Sequence, residues 1–320
     1  MSRTYRVSIV VILLLASSLT SKACDVCGCK LGGLYFGILP QYNNHFIGLR
    51  YSHADFNATM NYNSNYLENE SSRDTYQKVE LMGRVVINKK FQLNFILPYL
   101  FNEMDGSHQD IYSSGMGDPM VLAYYQLLNN AESFTSDWKH ALLVGAGLKL
   151  PLGEYKAQDN GELINRNFQL GSGSLDYLIS LNYTLRKNSI GVNVETGYKL
   201  NTENSDHYKF GNQFNANSYF FYWKEIKKFS LMPYSGIYFE QGASHKNHDF
   251  EEHNTGGHAT FCSIGLQSYL GTWTLNALFQ VPLDQKFNSD QISKIEAGNR
   301  FTVGLLFNIP KKSSKFLVGE

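Results

Sequence analysis

The feature that most constrains this chain is a run of strict alternation from Val79 to Phe101. Val79, Leu81, Val85 and Ile87 fall on one side of a first arm, and Glu80, Met82 and Arg84 on the other. After a tight turn at Asn88-Lys89-Lys90, a second arm sets Phe91, Leu93, Phe95, Leu97, Tyr99 and Phe101 against Gln92, Asn94, Ile96 and Pro98. A period of two predicts a β-hairpin with two unlike faces. The apolar series of the second arm covers about 10 residues, the length a tilted strand needs to cross a bilayer. Glu80 and Arg84 on the opposite face are costly against lipid and acceptable in a water-filled lumen.

The same pattern recurs along the chain. Strands are expected near 45–55, 75–88, 91–103, 116–128, 138–151, 173–186, 189–200, 208–223, 229–240, 258–269, 272–283 and 299–309. Twelve is an even number, as in single-chain bacterial barrels. Short connections at 88–90, 187–188, 224–228 and 271–272 alternate with long polar ones at 56–74, 104–115, 152–172, 241–257 and 284–298, the segment 129–137 being the exception. Short turns on one side and long loops on the other predict an all-β, antiparallel transmembrane β-barrel with both termini periplasmic. Trp138, Trp223 and Trp273 then all fall at periplasmic strand ends, where an interfacial aromatic girdle is expected. The competing fold is a soluble β-sandwich, but sandwich strands run to about 5–6 residues, roughly half the lengths here.

Composition agrees with lipid outside and water inside. After the first segment no apolar run approaches ~18 residues, so no transmembrane helix is expected. The chain nevertheless carries 21 Phe and 21 Tyr, interleaved with Asn, Ser, Gly and Gln. Formal charge is zero and there is no basic stripe, which argues against a nucleic-acid partner. Arg3 and Arg6, the apolar run Val7 to Ala16 and the small-x-small end Ser21-Lys22-Ala23 describe a secretory signal peptide over 1–23. A Cys-rich segment follows over 24–43, then the barrel over 44–309 and a tail over 310–320. The expected location is the outer membrane of a Gram-negative bacterium, with outer-membrane lipid as the first partner.

Three glycine-rich stretches stand apart: Gly115-Met116-Gly117-Asp118-Pro119, Gly145 to Gly153 with Lys149 and Pro151, and Gly171-Ser172-Gly173-Ser174-Leu175-Asp176. None is a G-x-G-x-x-G opening a helix, and no Walker sequence is present, so nucleotide binding is not indicated. The glycines are read as relief where strands bend. In this order the three motifs resemble those of the phenol-degradation meta-pathway transporter family of outer-membrane barrels, over roughly residues 75–309. The resemblance implies a channel for small molecules and fixes no substrate.

Candidate chemistry lies in three places. Cys24, Cys27 and Cys29 have a spacing at which thiolates can converge on Cu(I) or Zn. The alternatives are a local disulfide in an oxidising compartment and lipidation of Cys24. His245, His248, His253 and His258 lie among carboxylates in a loop that can hold a metal or be an ordinary solvated surface. Arg50, Glu80, Arg84, Lys149, Asp176 and Glu195 are placed in the lumen, with mixed signs that suggest ion pairs across it. Cys262 sits near the outer end of its strand, some ~25 Å of barrel away from the other three cysteines. The function classes that follow are a channel for small-molecule or metal cargo, a structural or metal-binding surface barrel with a closed lumen, and a barrel hydrolase. No His-x-Ser and no G-x-S-x-G occurs, so an enzyme is not expected.

Overall fold

The computed structural model describes residues 44–62, 66, 68–130, 137–159, 161–227, 229–290 and 292–309. The expected signal peptide, Cys-rich segment and tail, with Cys24, Cys27 and Cys29, lie outside them. Twelve antiparallel strands close into a barrel. They are β1 (His45–Met60), β2 (Glu70–Val86), β3 (Phe91–Gly106), β4 in two pieces (Ile111–Met116 and Met120–Asn129), β5 (Trp138–Lys149), β6 (Asp176–Lys187), β7 (Ile190–Leu200), β8 (Gln213–Tyr222), β9 (Phe229–Gly242), β10 (Gly257–Leu270), β11 (Trp273–Phe287) and β12 (Ser293–Ile309). Closure runs from His45↔Ile309 to Met60↔Ser293 between the first strand and the last.

Alternation decides which way each side chain points. In β3, Gln92, Asn94, Ile96 and Pro98 are buried inside, while Phe91, Leu93, Tyr99 and Phe101 are exposed on the outer wall. Ile47, Leu49, Ile179, Leu181, Leu275, Phe279, Val303 and Leu305 extend this apolar surface around the barrel. A water-soluble surface rarely carries contiguous apolar patches above a few hundred Å², so the belt is a lipid-facing one. Apart from the Ile111–Met116 piece, which pairs along one edge only, the strands are paired on both sides around the ring, as a hydrocarbon environment requires. A folded barrel of this kind is expected to migrate differently in SDS before and after boiling, and helix-dominated circular dichroism would contradict it.

The turns follow from their residues. Asn88 Oδ1 accepts from Lys90 N and Phe91 N, so its side chain makes the β2–β3 turn. Asn188 and Gly271 take left-handed backbone in the tight β6–β7 and β10–β11 turns, which these residue types tolerate best.

Four expectations change. The connections at 56–74, 104–115 and 284–298 are mostly strand: β1, β2, β3, β11 and β12 reach 15–17 residues, so one side of the wall stands taller. The sixth strand starts at Asp176 rather than 173, and the eighth at Gln213 rather than 208, because Tyr208–Lys209 pairs with Lys246–Asn247 in a separate small sheet above the barrel. Trp138 and Trp273 are exposed on the outer wall, but Trp223 is buried, its ring 4.9 Å from that of Tyr269. Being one residue past outward Tyr222, it has the opposite parity and belongs to the interior. Finally, the loop 150–175 stays on the surface only in its first part, where Glu154, Lys156, Gln158, Glu162 and Leu163 are exposed. It then turns into the barrel mouth, where Ile164, Phe168 and Leu170 are buried.

Candidate functional site

The interior is layered. At the loop end, Phe56, Tyr76, Met104, Ile111, Tyr238, Phe261 and Phe287 pack around Phe168. Towards the turn end, one apolar cluster gathers Phe46, Met82, Ile96, Leu122 and Leu143, and another gathers Tyr219, Phe221, Trp223, Met232 and Tyr234. Between them lies a polar middle. Glu80, 1 % exposed, receives Arg50 Nε at 2.6 Å and Lys78 Nζ at 2.9 Å. Arg84 donates to Asn94 Oδ1 at 3.3 Å and lies 5.0 Å from the centre of the Phe46 ring. Glu195 is buried in the same row as Asn182 and Asn217 on the neighbouring strands. Arg300 of β12 reaches Glu240 of β9, three strands away along the wall, with two bonds, 2.9 and 2.7 Å, and its guanidinium sits 4.1 Å from the Phe261 ring centre.

The three glycine motifs meet at one place. β4 breaks at Gly117-Asp118-Pro119, and the break turns the Asp118 carboxylate towards the loop stems. Asp118 Oδ1 accepts from Gly153 N at 2.9 Å, and Oδ2 accepts from Ser172 N at 2.9 Å, from Ser172 Oγ at 3.0 Å and from Lys149 Nζ at 2.8 Å. Lys149 also reaches Asp176 Oδ2 at 2.7 Å and donates to Ser172 Oγ. Asp176 Oδ1 accepts from Ser174 Oγ and Thr202 N, both at 2.9 Å. Two carboxylates around one ammonium, closed by hydroxyls and amides, satisfy nearly every polar atom, which a buried ionic cluster needs. The glycines serve close approach: a Cβ on Gly153 would lie 2.8 Å from Gly171 Cα. A branched residue at Gly153 is expected to break the cluster and lower the unfolding midpoint in urea, while Ser at Gly304, whose Cβ would meet nothing closer than 3.8 Å and whose backbone is not left-handed, should matter far less.

Beside this cluster, and lined in part by it, is a cavity of about 160 Å³. Its charged lining is Lys78, Glu80, Asp118, Lys149, Asp176 and Lys199, and its apolar lining includes Pro98, Leu100, Met120, Leu170, Leu178 and Phe210. The sequence did not bring the three motifs together, because the residues that meet stand in loops and strand ends without periodicity. The available signal was polar: Asp118, Lys149, Ser172 and Asp176 are embedded among glycines that allow backbones to touch.

The loops above are tied to one another. Lys156 Nζ contacts Asp206 at 2.6 Å, Arg166 stacks 4.7 Å from the Tyr208 ring centre, and Asn204 Nδ2 donates to Ser172 O. The hydrogen bond from Lys156 holds the Asp206 carboxyl below the usual carboxylate range. The four loop histidines do not converge. His245 is buried with Nδ1 2.7 Å from Tyr208 Oη, His248 lies against Asn247, His253 is exposed, and His258 faces Asp284 at 3.7 Å. Among the described residues, no three His, Cys, Asp or Glu side chains come together as metal ligands. Cys262 is exposed on the outer wall.

No protein-family model matches the sequence, and no curated protein does. Solved structures do match. An outer membrane channel from Pseudomonas putida F1 superposes with a TM-score of 0.63 at 14 % identity, covering 87 % of this chain and 99 % of that one. The beta domain of the Bordetella autotransporter BrkA aligns with a TM-score of 0.43 at 11 % identity, covering 82 % and 99 % of the two chains. A Pseudomonas aeruginosa FadL homologue aligns with a TM-score of 0.43 at 9 % identity, covering 83 % and 90 %. At such identities the first likeness establishes the fold alone: this chain is a closed, twelve-stranded β-barrel of the outer-membrane kind.

Proposed function

We propose that the protein is an outer-membrane channel for small molecules, held closed in this conformation. The observation that carries the reading is the cavity inside a closed barrel whose outer belt is apolar. Its volume of about 160 Å³ is close to that of an engineered cavity of ~150 Å³ that admits benzene, so it has room for a small solute on its way through. The motifs at Gly115, Gly145 and Gly171 support membership in the group of small-molecule barrels resembling the phenol-degradation meta-pathway transporters. In this reading the turn end faces the periplasm and the loop end faces outward.

A second reading, a surface barrel with a permanently closed lumen, is favoured by the dense side-chain packing at both ends of the interior. Conductance in planar bilayers separates the two. Discrete steps are expected for a channel; silence from a barrel that still shows heat-modifiable migration would favour the surface protein.

Metal cargo rests on the cysteines. Three thiolates within six residues, with Gly28 allowing a tight turn, suit one Cu(I) or Zn ion at the periplasmic mouth. Cu(I) titration of the reduced mature protein against a competing chelator is expected to give a stoichiometry near one, lost on replacing all three cysteines by serine. Equal binding by both proteins would remove the site.

A further inference from the structure

Loops of compact proteins run over the surface, because buried irregular backbone leaves polar groups hard to satisfy. From Ile164 onward the 150–175 loop breaks that rule and solves the problem internally. Ile164 N donates to Ala157 O, and the Gln169 side chain bonds to Ala157 N, Ala157 O and Ile164 O. Asn165 caps the turn Arg166–Phe168 by accepting from Asn167 N. The loop is therefore a small unit folded on its own hydrogen bonds.

Its attachment to the wall has another character. The Phe168 carbonyl accepts from Asn102 Nδ2 and Ser113 Oγ, and the Phe168 ring stacks on Tyr76 with centroids 5.3 Å apart. At the root, both stems converge on a single carboxylate: Asp118 takes Gly153 N from the ascending stem and Ser172 N from the descending one. One residue beyond, Gly173 has φ +69°, with the Tyr155 ring where a Cβ would be. A self-bonded body, a narrow root, and a tip held by aromatic packing, two hydrogen bonds and a few loop-to-loop contacts are the parts of a hinged lid. Leu170 and Ser172 of this loop form part of the lining of the 160 Å³ cavity.

We propose that residues 154–170 are a lid that moves as one body about the Asp118 clamp and gates the lumen above the cavity, so that the three glycine motifs together build its hinge. The proposal rests on the channel reading. Opening breaks the two wall bonds to the Phe168 carbonyl, separates Phe168 from Tyr76 and releases Lys156 and Arg166 from Asp206 and Tyr208, while the Asp118 bonds to Gly153 and Ser172 persist.

The test compares three proteins in planar bilayers, each first checked for heat-modifiable migration. They are the wild type, the double variant Asn102→Ala/Ser113→Ala, and a deletion of residues 158–168. Ala157 and Gln169 are already hydrogen-bonded, so a short glycine bridge can join the stems without moving the root. Losing two neutral hydrogen bonds of the closed state should raise the open fraction about tenfold in the double variant. The deletion should stay open. If the wild type conducts and the deletion behaves identically, the lid fails and the channel stands. If the folded deletion is as silent as the wild type, both lid and channel fail.

Discussion

Glu240→Ala is expected to destabilise the barrel by about 3–5 kcal/mol, the cost typical of leaving one partner of a buried ion pair alone. Arg300 makes two bonds to this carboxylate, and its side chain is 3 % exposed. Its faces are covered by Phe261 and Phe56. Without Glu240 the guanidinium would stay charged among aromatic rings, since arginine does not release its proton in proteins. Glu240→Gln keeps the shape and one acceptor, so it should lose less. Urea unfolding in detergent, or the temperature at which the folded band converts in SDS gels, reads the difference. A Glu240→Ala protein as stable as wild type would mean that water reaches Arg300 and that the lumen is open at this level.

The second large effect lies on the other side of the wall. Phe95→Arg should cost about 2–4 kcal/mol if Phe95 sits near the bilayer midplane, and Gln241→Arg, at the upper rim, about 0–1 kcal/mol. Phe95 points outward between buried Asn94 and Ile96, and it covers Gly83 of β2, where a Cβ would meet its ring. Alternation alone would make inward Asn94 the natural control. The structure argues against it, because Asn94 accepts from buried Arg84 and a second guanidinium there would face the first. Equal costs at Phe95 and Gln241 would mean that the belt is misplaced.

These two positions show what the sequence made legible. Phe95 and Asn94 could be assigned to opposite faces because a strand has a period of two and the two solvents differ sharply. The same parity puts Arg50, Glu80, Arg84 and Arg300 inside. It would also have turned Trp223 inward, had it been weighed above the preference of tryptophan for interfaces. Which inward residues meet was not legible. Arg50 and Glu80 are direct cross-strand neighbours, but Arg300 and Glu240 are three strands apart and pair through the curvature of the barrel. The inward loop was hidden for a different reason. Residues 150–175 have no periodicity, and polar residues such as Asn165, Asn167 and Gln169 read as a solvated surface until their partners are known.

The divided fourth strand has one more consequence. Its upper piece, Ile111–Met116, pairs with β3 along one edge, and its other edge carries no strand among the described residues. A bare strand edge is a template on which a neighbouring chain can add itself. Here Ser113 is bonded to Phe168, and Leu170 lies against Gly115, so the loop packs on the inner face of this piece, next to that edge. A barrel with this loop removed would leave that edge without its neighbour, as a sticky seam for other chains, and self-association of the deletion protein in detergent would be its visible sign.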